Sequence, residues 1–233
     1  MHSQKIHNKK LILPVLIFLA GCLALAAVLY HSYRTNLKQV RAVTELNAIT
    51  YAERLQNDMN RGVAITDTLE EIVLSENGKI DNFQKVAGNL MTDFVQSIQV
   101  APDGVVTDIY PEAGNEAGKI DLIHDESRGG RDKNIVTMQG PFDLKQGGRG
   151  IAIRNPVYLE CPDGTSAFWG FTIVIIRIPE VFEKSVQALT QFGYDYCLTK
   201  TVSPLSDDTE VVSSSGNILK EPITFEFEFC GST

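Results

Sequence analysis

The residues with chemistry to offer are few: four histidines, four cysteines and two glycine–arginine clusters. His124, in Ile123-His124-Asp125-Glu126, is the only histidine beyond residue 31. It could act as a general base or metal ligand. No second His or Cys lies near it, so an isolated loop residue is the competing reading. Cys22 falls in an apolar run, and Cys161, Cys197 and Cys230 have no metal-ligand spacing. A Cys197–Cys230 bridge stays open, as does burial of all three as small hydrophobes. Arg128-Gly129-Gly130-Arg131 and Gln146-Gly147-Gly148-Arg149-Gly150 offer backbone N–H groups and guanidinium to an anion. Neither leads into a helix, and ordinary turns are the plainer reading of both. With no P-loop, G-x-S-x-G, H-E-x-x-H or C-x-x-C present, the expectation is a chain with no catalytic residues, metal or cofactor of its own.

Composition narrows the class. The 233 residues are 43% hydrophobic and 21% charged, which excludes a wholly disordered or collagen-like chain. The net charge of −8 argues against nucleic acid as a partner, since no basic excess is present to displace counterions from phosphate. That charge is unevenly spread. Residues 1–10 hold Lys5, Lys9 and Lys10 and no acid, residues 11–31 hold no charge, and all 29 acids follow with the other 18 bases.

Leu11 to Tyr30 reads LILPVLIFLAGCLALAAVLY. As a helix it spans about 30 Å, the thickness of a bilayer's hydrocarbon core. The preceding lysines put the N-terminus in the cytoplasm and the acidic remainder outside. A cleavable signal peptide is the alternative, with Ala24-Leu25-Ala26 as its cleavage site. The expected organisation is a leader over 1–10, a transmembrane helix over 11–31, a stalk helix over 34–75 and a sensor-sized domain over 76–233. In the stalk, Leu37, Val40, Val43, Leu46, Ile49, Leu55, Met59, Leu69, Ile72 and Val73 follow the helical period. About 40 such residues would project roughly 60 Å and offer a surface for a homodimer. Packing along the domain's own side is the other use of that face.

Glu76-Asn77-Gly78-Lys79 signals a turn, and a second helix is expected over 82–94. Beyond it the rhythm becomes that of strands. Two hairpins turn at Ala101-Pro102-Asp103-Gly104 and Cys161-Pro162-Asp163-Gly164. A strand opens at Val136, a helix follows Pro179, and further strands are expected over 194–199, 210–213 and 223–229. In the last, Phe225, Phe227 and Phe229 alternate with Glu226 and Glu228. The fold class is therefore α+β, an antiparallel sheet of five or six strands with flanking helices behind a long N-terminal helix.

One stretch has a specific order. Met138 to Tyr158 reads MQGPFDLKQGGRGIAIRNPVY, and nine residues on comes Phe168-Trp169-Gly170-Phe171. Together with Ser97 to Val106, Tyr110-Pro111 and Gly114-Asn115-Glu116, this resembles the CHASE domain, the extracellular sensor of bacterial cyclases and histidine kinases. The resemblance covers residues 85–185. It implies a PAS-like sensor of a small molecule, held outside the bacterial plasma membrane. It also implies a pocket to which Phe142, Leu144, Ile151, Ile153, Arg154, Trp169 and Gly170 correspond. Cytokinin-binding members carry a small hydroxyl residue where this chain has Arg154, and a guanidinium there suits a carboxylate or phosphate. The same residues could instead be core, with Arg154 paired to an acid such as Asp143. Family members continue into a second membrane helix and a cytoplasmic kinase or cyclase; with no second apolar run before Thr233, a truncated C-terminus is expected. An exported, membrane-tethered enzyme or adhesion module sharing the loop pattern is the alternative function.

Overall fold

The computed structural model of the chain describes residues 3–114, 134–178, 180–203, 206–217 and 219–230. It divides into two compact units, Met1–Ile49 and Thr50–Thr233. Helix α1 (Ser3–Ser75) runs through the first and opens the second. In the first unit the segment from Ile12 is long and apolar enough to cross a membrane. Its large side chains, and those of Leu37, Val40, Val43 and Leu46 after it, are exposed.

In the second unit the helical period produces a buried stripe. Tyr51, Leu55, Met59, Ile65, Leu69 and Val73 are all buried, with Gly62 in the same row. The helix ends at Ser75 because Asn77 and Gly78 take positive φ (52° and 86°), which lets the Gly78 N–H return to the Val73 carbonyl at 2.8 Å. Helix α2 (Phe83–Leu90) is shorter than the expected 82–94: Met91 is already extended, and Phe94 enters the core at 4% exposure.

The strands are β1 (Val95–Pro102), β2 (Asp108–Tyr110), β3 (Thr137–Asp143), β4 (Arg149–Glu160) and β5 (Ser166–Ile178). They form one antiparallel sheet in the order β2-β1-β5-β4-β3, which leaves the long apolar β5 at the centre, as expected for Phe168 to Ile178. Both expected hairpins are present. A 3-10 turn (Glu180–Phe182) and helix α3 (Glu183–Gln191) follow.

One expectation is refined and one corrected. The strands near 194–199 and 210–213 form a separate hairpin, β6 (Cys197–Ser203) with β7 (Ser206–Ser214), so the main sheet has five strands. Arg149 fastens that hairpin, donating to the Val211 carbonyl at 3.3 Å and pairing with Glu210 at 3.2 Å. The alternating Ile223–Phe229 segment is not a strand. Gln56 of α1 donates to the Glu228 carbonyl at 3.2 Å, an acceptor that a strand ladder would need, and Phe225 is 42% exposed while Phe229 is buried. The four cysteines are free thiols, Cys197 exposed and Cys230 half-buried, so no Cys197–Cys230 bridge forms.

Candidate functional site

The two faces of the sheet differ in kind. One receives all three helices: Leu55, Met59, Ile65 and Leu69 of α1 and Phe83 and Ala87 of α2 pack with Ile98, Ile151, Ile153, Val174 and Ile176, as do Val181 and Phe182 of the 3-10 turn. Because side chains alternate along a strand, the intervening residues point to the far face. There Ala101, Val106, Ala152, Phe171, Ile173 and Ile175 form a second apolar cluster, with Ile109, Leu144 and Phe168 against it.

Arg154 belongs to this far face. The strand register sets it beside Ile173 of β5 and Thr137 of β3. It is 8% exposed, the one buried charged side chain among the described residues. Asp143 is not its neighbour: it pairs with Arg149, five residues and about 16 Å further along the strand. A guanidinium keeps its charge when buried and presents five donors in a planar fork. Polar groups accompany it. Ser97 and Gln99 of β1 alternate with the core residues Ile98 and Val100, and Gln99 Nε2 donates to Ser97 Oγ at 3.0 Å. Aromatic rings close one end: Phe168 lies edge-on to Phe171 at 5.1 Å and to Tyr158 at 5.6 Å. A cation, an amide, hydroxyls and edge-on rings on an apolar floor can bind a small molecule with an anionic group.

The expected site residues divide between the faces. Arg154 and Leu144 lie on the far face, and register carries Phe142 to its edge, opposite Gly150, at 36% exposure. Ile151 and Ile153 are on the helix face, at 1% and 0% exposure. Trp169 is there too, packed on that core and donating from Nε1 to the Gly78 carbonyl at 3.0 Å. It is the extra residue of a bulge, since Val157 pairs with Gly170 and Tyr158 with Phe168. Gly170 marks the tightest strand crossing: a Cβ there would lie 2.1 Å from the Ala101 carbonyl oxygen. Ser97, Gln99 and Phe171 are not among the expected site residues, although all three lie in the stretches that carry the resemblance and the alternation Ser97-Ile98-Gln99-Val100 carries the signal for the first two. His124 and the Arg128–Arg131 cluster lie outside the described residues. The Gln146–Gly150 cluster is an exposed turn running into β4. Among the described residues no three His, Cys, Asp or Glu converge as metal ligands.

No protein-family model matches the sequence, and no curated protein matches it. Solved structures do match the fold. The ligand-binding domain of the Pseudomonas aeruginosa PAO1 amino acid chemoreceptor PctB, in complex with L-Gln, superposes with a TM-score of 0.54 at 14% identity, over 71% of this chain and 69% of that one. The corresponding domain of chemoreceptor PctC, in complex with GABA, gives 0.51 at 14% identity, over 69% and 73%. An extracellular ligand binding receptor from Desulfohalobium retbaense DSM5692 gives 0.51 at 14% identity over 62% of this chain. The chain spans about a quarter (26%) of that receptor's length. At this identity the likeness is one of fold: an antiparallel five-stranded sheet with flanking helices behind a long N-terminal helix.

Proposed function

We propose that residues 50–233 are the extracytoplasmic ligand-sensing domain of a bacterial transmembrane receptor, with no enzymatic step in this chain. The observation that carries the reading is Arg154, a cation buried on the sheet face turned away from the helices, on a fold shared with chemoreceptor ligand-binding domains. Its ligand is a small molecule with a carboxylate or other anionic group, seated near Arg154, Leu144, Gln99 and Phe171. The sequence motifs around Gly140-Pro141-Phe142 and Trp169-Gly170 favour the CHASE group within these sensors. In this reading Leu11–Tyr30 anchors the chain in the plasma membrane with its N-terminus cytoplasmic. The exposed row Leu37, Val40, Val43 and Leu46 then meets the same row of a second copy.

The test is a thermal-shift screen of the full chain in lipid nanodiscs against L-glutamine, γ-aminobutyrate and a set of organic acids. At least one should stabilise the protein in a saturable way. Arg154→Ala should weaken that compound by about 10- to 100-fold, the worth of charge-assisted hydrogen bonds. Stabilisation by none of them, or an unchanged midpoint in Arg154→Ala, would overturn the reading. Disulfide trapping through Val40→Cys reads the dimer.

A further inference from the structure

Strand β4 carries two polar residues in succession, and they point to opposite faces of the sheet. Arg154 goes to the far face; Asn155, 6% exposed, goes to the helix face. There it meets α1. Its Nδ2 donates to Glu70 Oε2 at 2.7 Å and to Asp67 Oδ1 at 3.3 Å. Across the ladder, Asn155 pairs with Thr172, fully buried, whose hydroxyl donates to the Thr66 carbonyl at 3.0 Å. The rest of this interface is aliphatic: Ile151, Ile153, Val157, Val174 and Ile176.

An aliphatic interface is non-directional and by itself would let a helix slide. Hydrogen bonds are directional, and two buried polar side chains holding residues 66, 67 and 70 fix where α1 sits along the sheet. The seating is close one turn earlier, where a Cβ on Gly62 would lie 2.6 Å from Ile153 Cδ1. The two carboxylates, three residues apart, share one face of α1 and hold the single amide unequally. A shift of β4 by a few tenths of an ångström redistributes that amide between a short bond and a long one. Burial raises the Asp67 carboxyl above its ordinary range, in keeping with its long, weak bond.

We infer that Asn155 is a positioning residue that couples the state of Arg154 on one face of the sheet to α1 on the other. It does so by exchanging hydrogen bonds between Glu70 and Asp67. The inference rests on the sensing reading above for its use, since a ligand on the Arg154 guanidinium is what would pull β4. Its test does not need the ligand.

The experiment is a mutant cycle read by hydrogen exchange on α1 peptides from residues 60–75, with the full chain in nanodiscs. Arg154→Met should change their exchange by about threefold or more in the wild-type background, the ratio that coupled sites produce. In the Asn155→Leu background the same substitution should leave them unchanged. Equal ratios in the two backgrounds would overturn the coupling. If Asn155→Leu does not fold, Asp67→Ala with Glu70→Ala removes both acceptors from α1. It should shrink the Arg154→Met ratio likewise, and an unshrunk ratio counts against the coupling in the same way. A second arm adds L-glutamine or γ-aminobutyrate. A compound that protects α1 in the wild type should still bind Asn155→Leu within about threefold, without protecting α1. Failure of every compound to bind counts against the sensing reading alone, because the mutant cycle contains no ligand.

Discussion

Replacing Gly170 with alanine tests whether this glycine is required by the strand crossing. The added Cβ would stand 2.1 Å from the Ala101 carbonyl oxygen, 2.8 Å from the Ala101 carbonyl carbon and 2.8 Å from Pro102 Cα, with φ at +154°. All three neighbours are backbone of β1, which pairs with β5 through Ala101–Phe171 and Pro102–Gly170. No side chain can rotate away, so the strands must part by about 1 Å to restore van der Waals contact. Overpacking costs about 3 kcal/mol at its upper end, and losing one neighbouring bond, such as Asp103 N–H to the Trp169 carbonyl at 2.7 Å, adds about 1 kcal/mol. The total is about 4 kcal/mol. With a urea dependence of about 2 kcal/mol per molar, the unfolding midpoint falls by about 2 M.

Gly62→Ala is the internal control. Its Cβ crowds only the Ile153 Cδ1 methyl, at 2.6 Å, while Ile176 Cγ2 at 3.5 Å is in ordinary contact; Ile153 is a side chain that can change rotamer for about 1 kcal/mol. The gain in helix propensity is about the same size. Urea titration by circular dichroism should therefore place Gly62→Ala within about 0.5 M of wild type and Gly170→Ala far below it. A Gly170→Ala midpoint within about 0.5 M of wild type would refute the steric argument and free Gly170 for the pocket wall.

Other outcomes follow from named contacts. Trp169→Phe removes the Nε1 donor to the Gly78 carbonyl and should cost about 1 kcal/mol, measured by urea titration. Burial, aided by the nearby Asp67 charge, pushes the Cys230 thiol up to about 12. Maleimide mapped by mass spectrometry at pH 8 should therefore label exposed Cys197 well before Cys230. The Asp67 carboxyl, raised from 3.8 by burial, holds its proton more tightly folded than unfolded. Its contribution to stability is present at pH below 3.8 and is lost as pH rises through the raised folded value. Asp67→Asn avoids that loss, so its stability relative to wild type should be higher at pH 7 than at pH 3.5. An opposite trend would refute the assignment of burial as the cause.

Local patterns determined much of this protein. The uncharged run over 11–31, the helical period after it, the two Pro-Asp-Gly hairpins and the long apolar strand before Pro179 are each set by neighbouring residues, and they are legible from sequence. Elements that depend on distant partners are less so. The stripe Phe225, Phe227, Phe229 reads as a strand until Gln56 takes the Glu228 carbonyl. The site divides the same way. Arg154 is picked out by the resemblance, and alternation sets it opposite Ile151 and Ile153, but Gly150 to Val157 are buried on both faces, so polarity cannot say which face meets the helices. Tertiary pairing decides it. The packing of α1 on Ile151 and Ile153 leaves Arg154 on the far side, and the bulge in β5 turns Trp169 toward the helices and Phe168 away from them. A strand has a period of two, so a single inserted residue reverses the faces beyond it, and only the partner strand specifies where that residue goes.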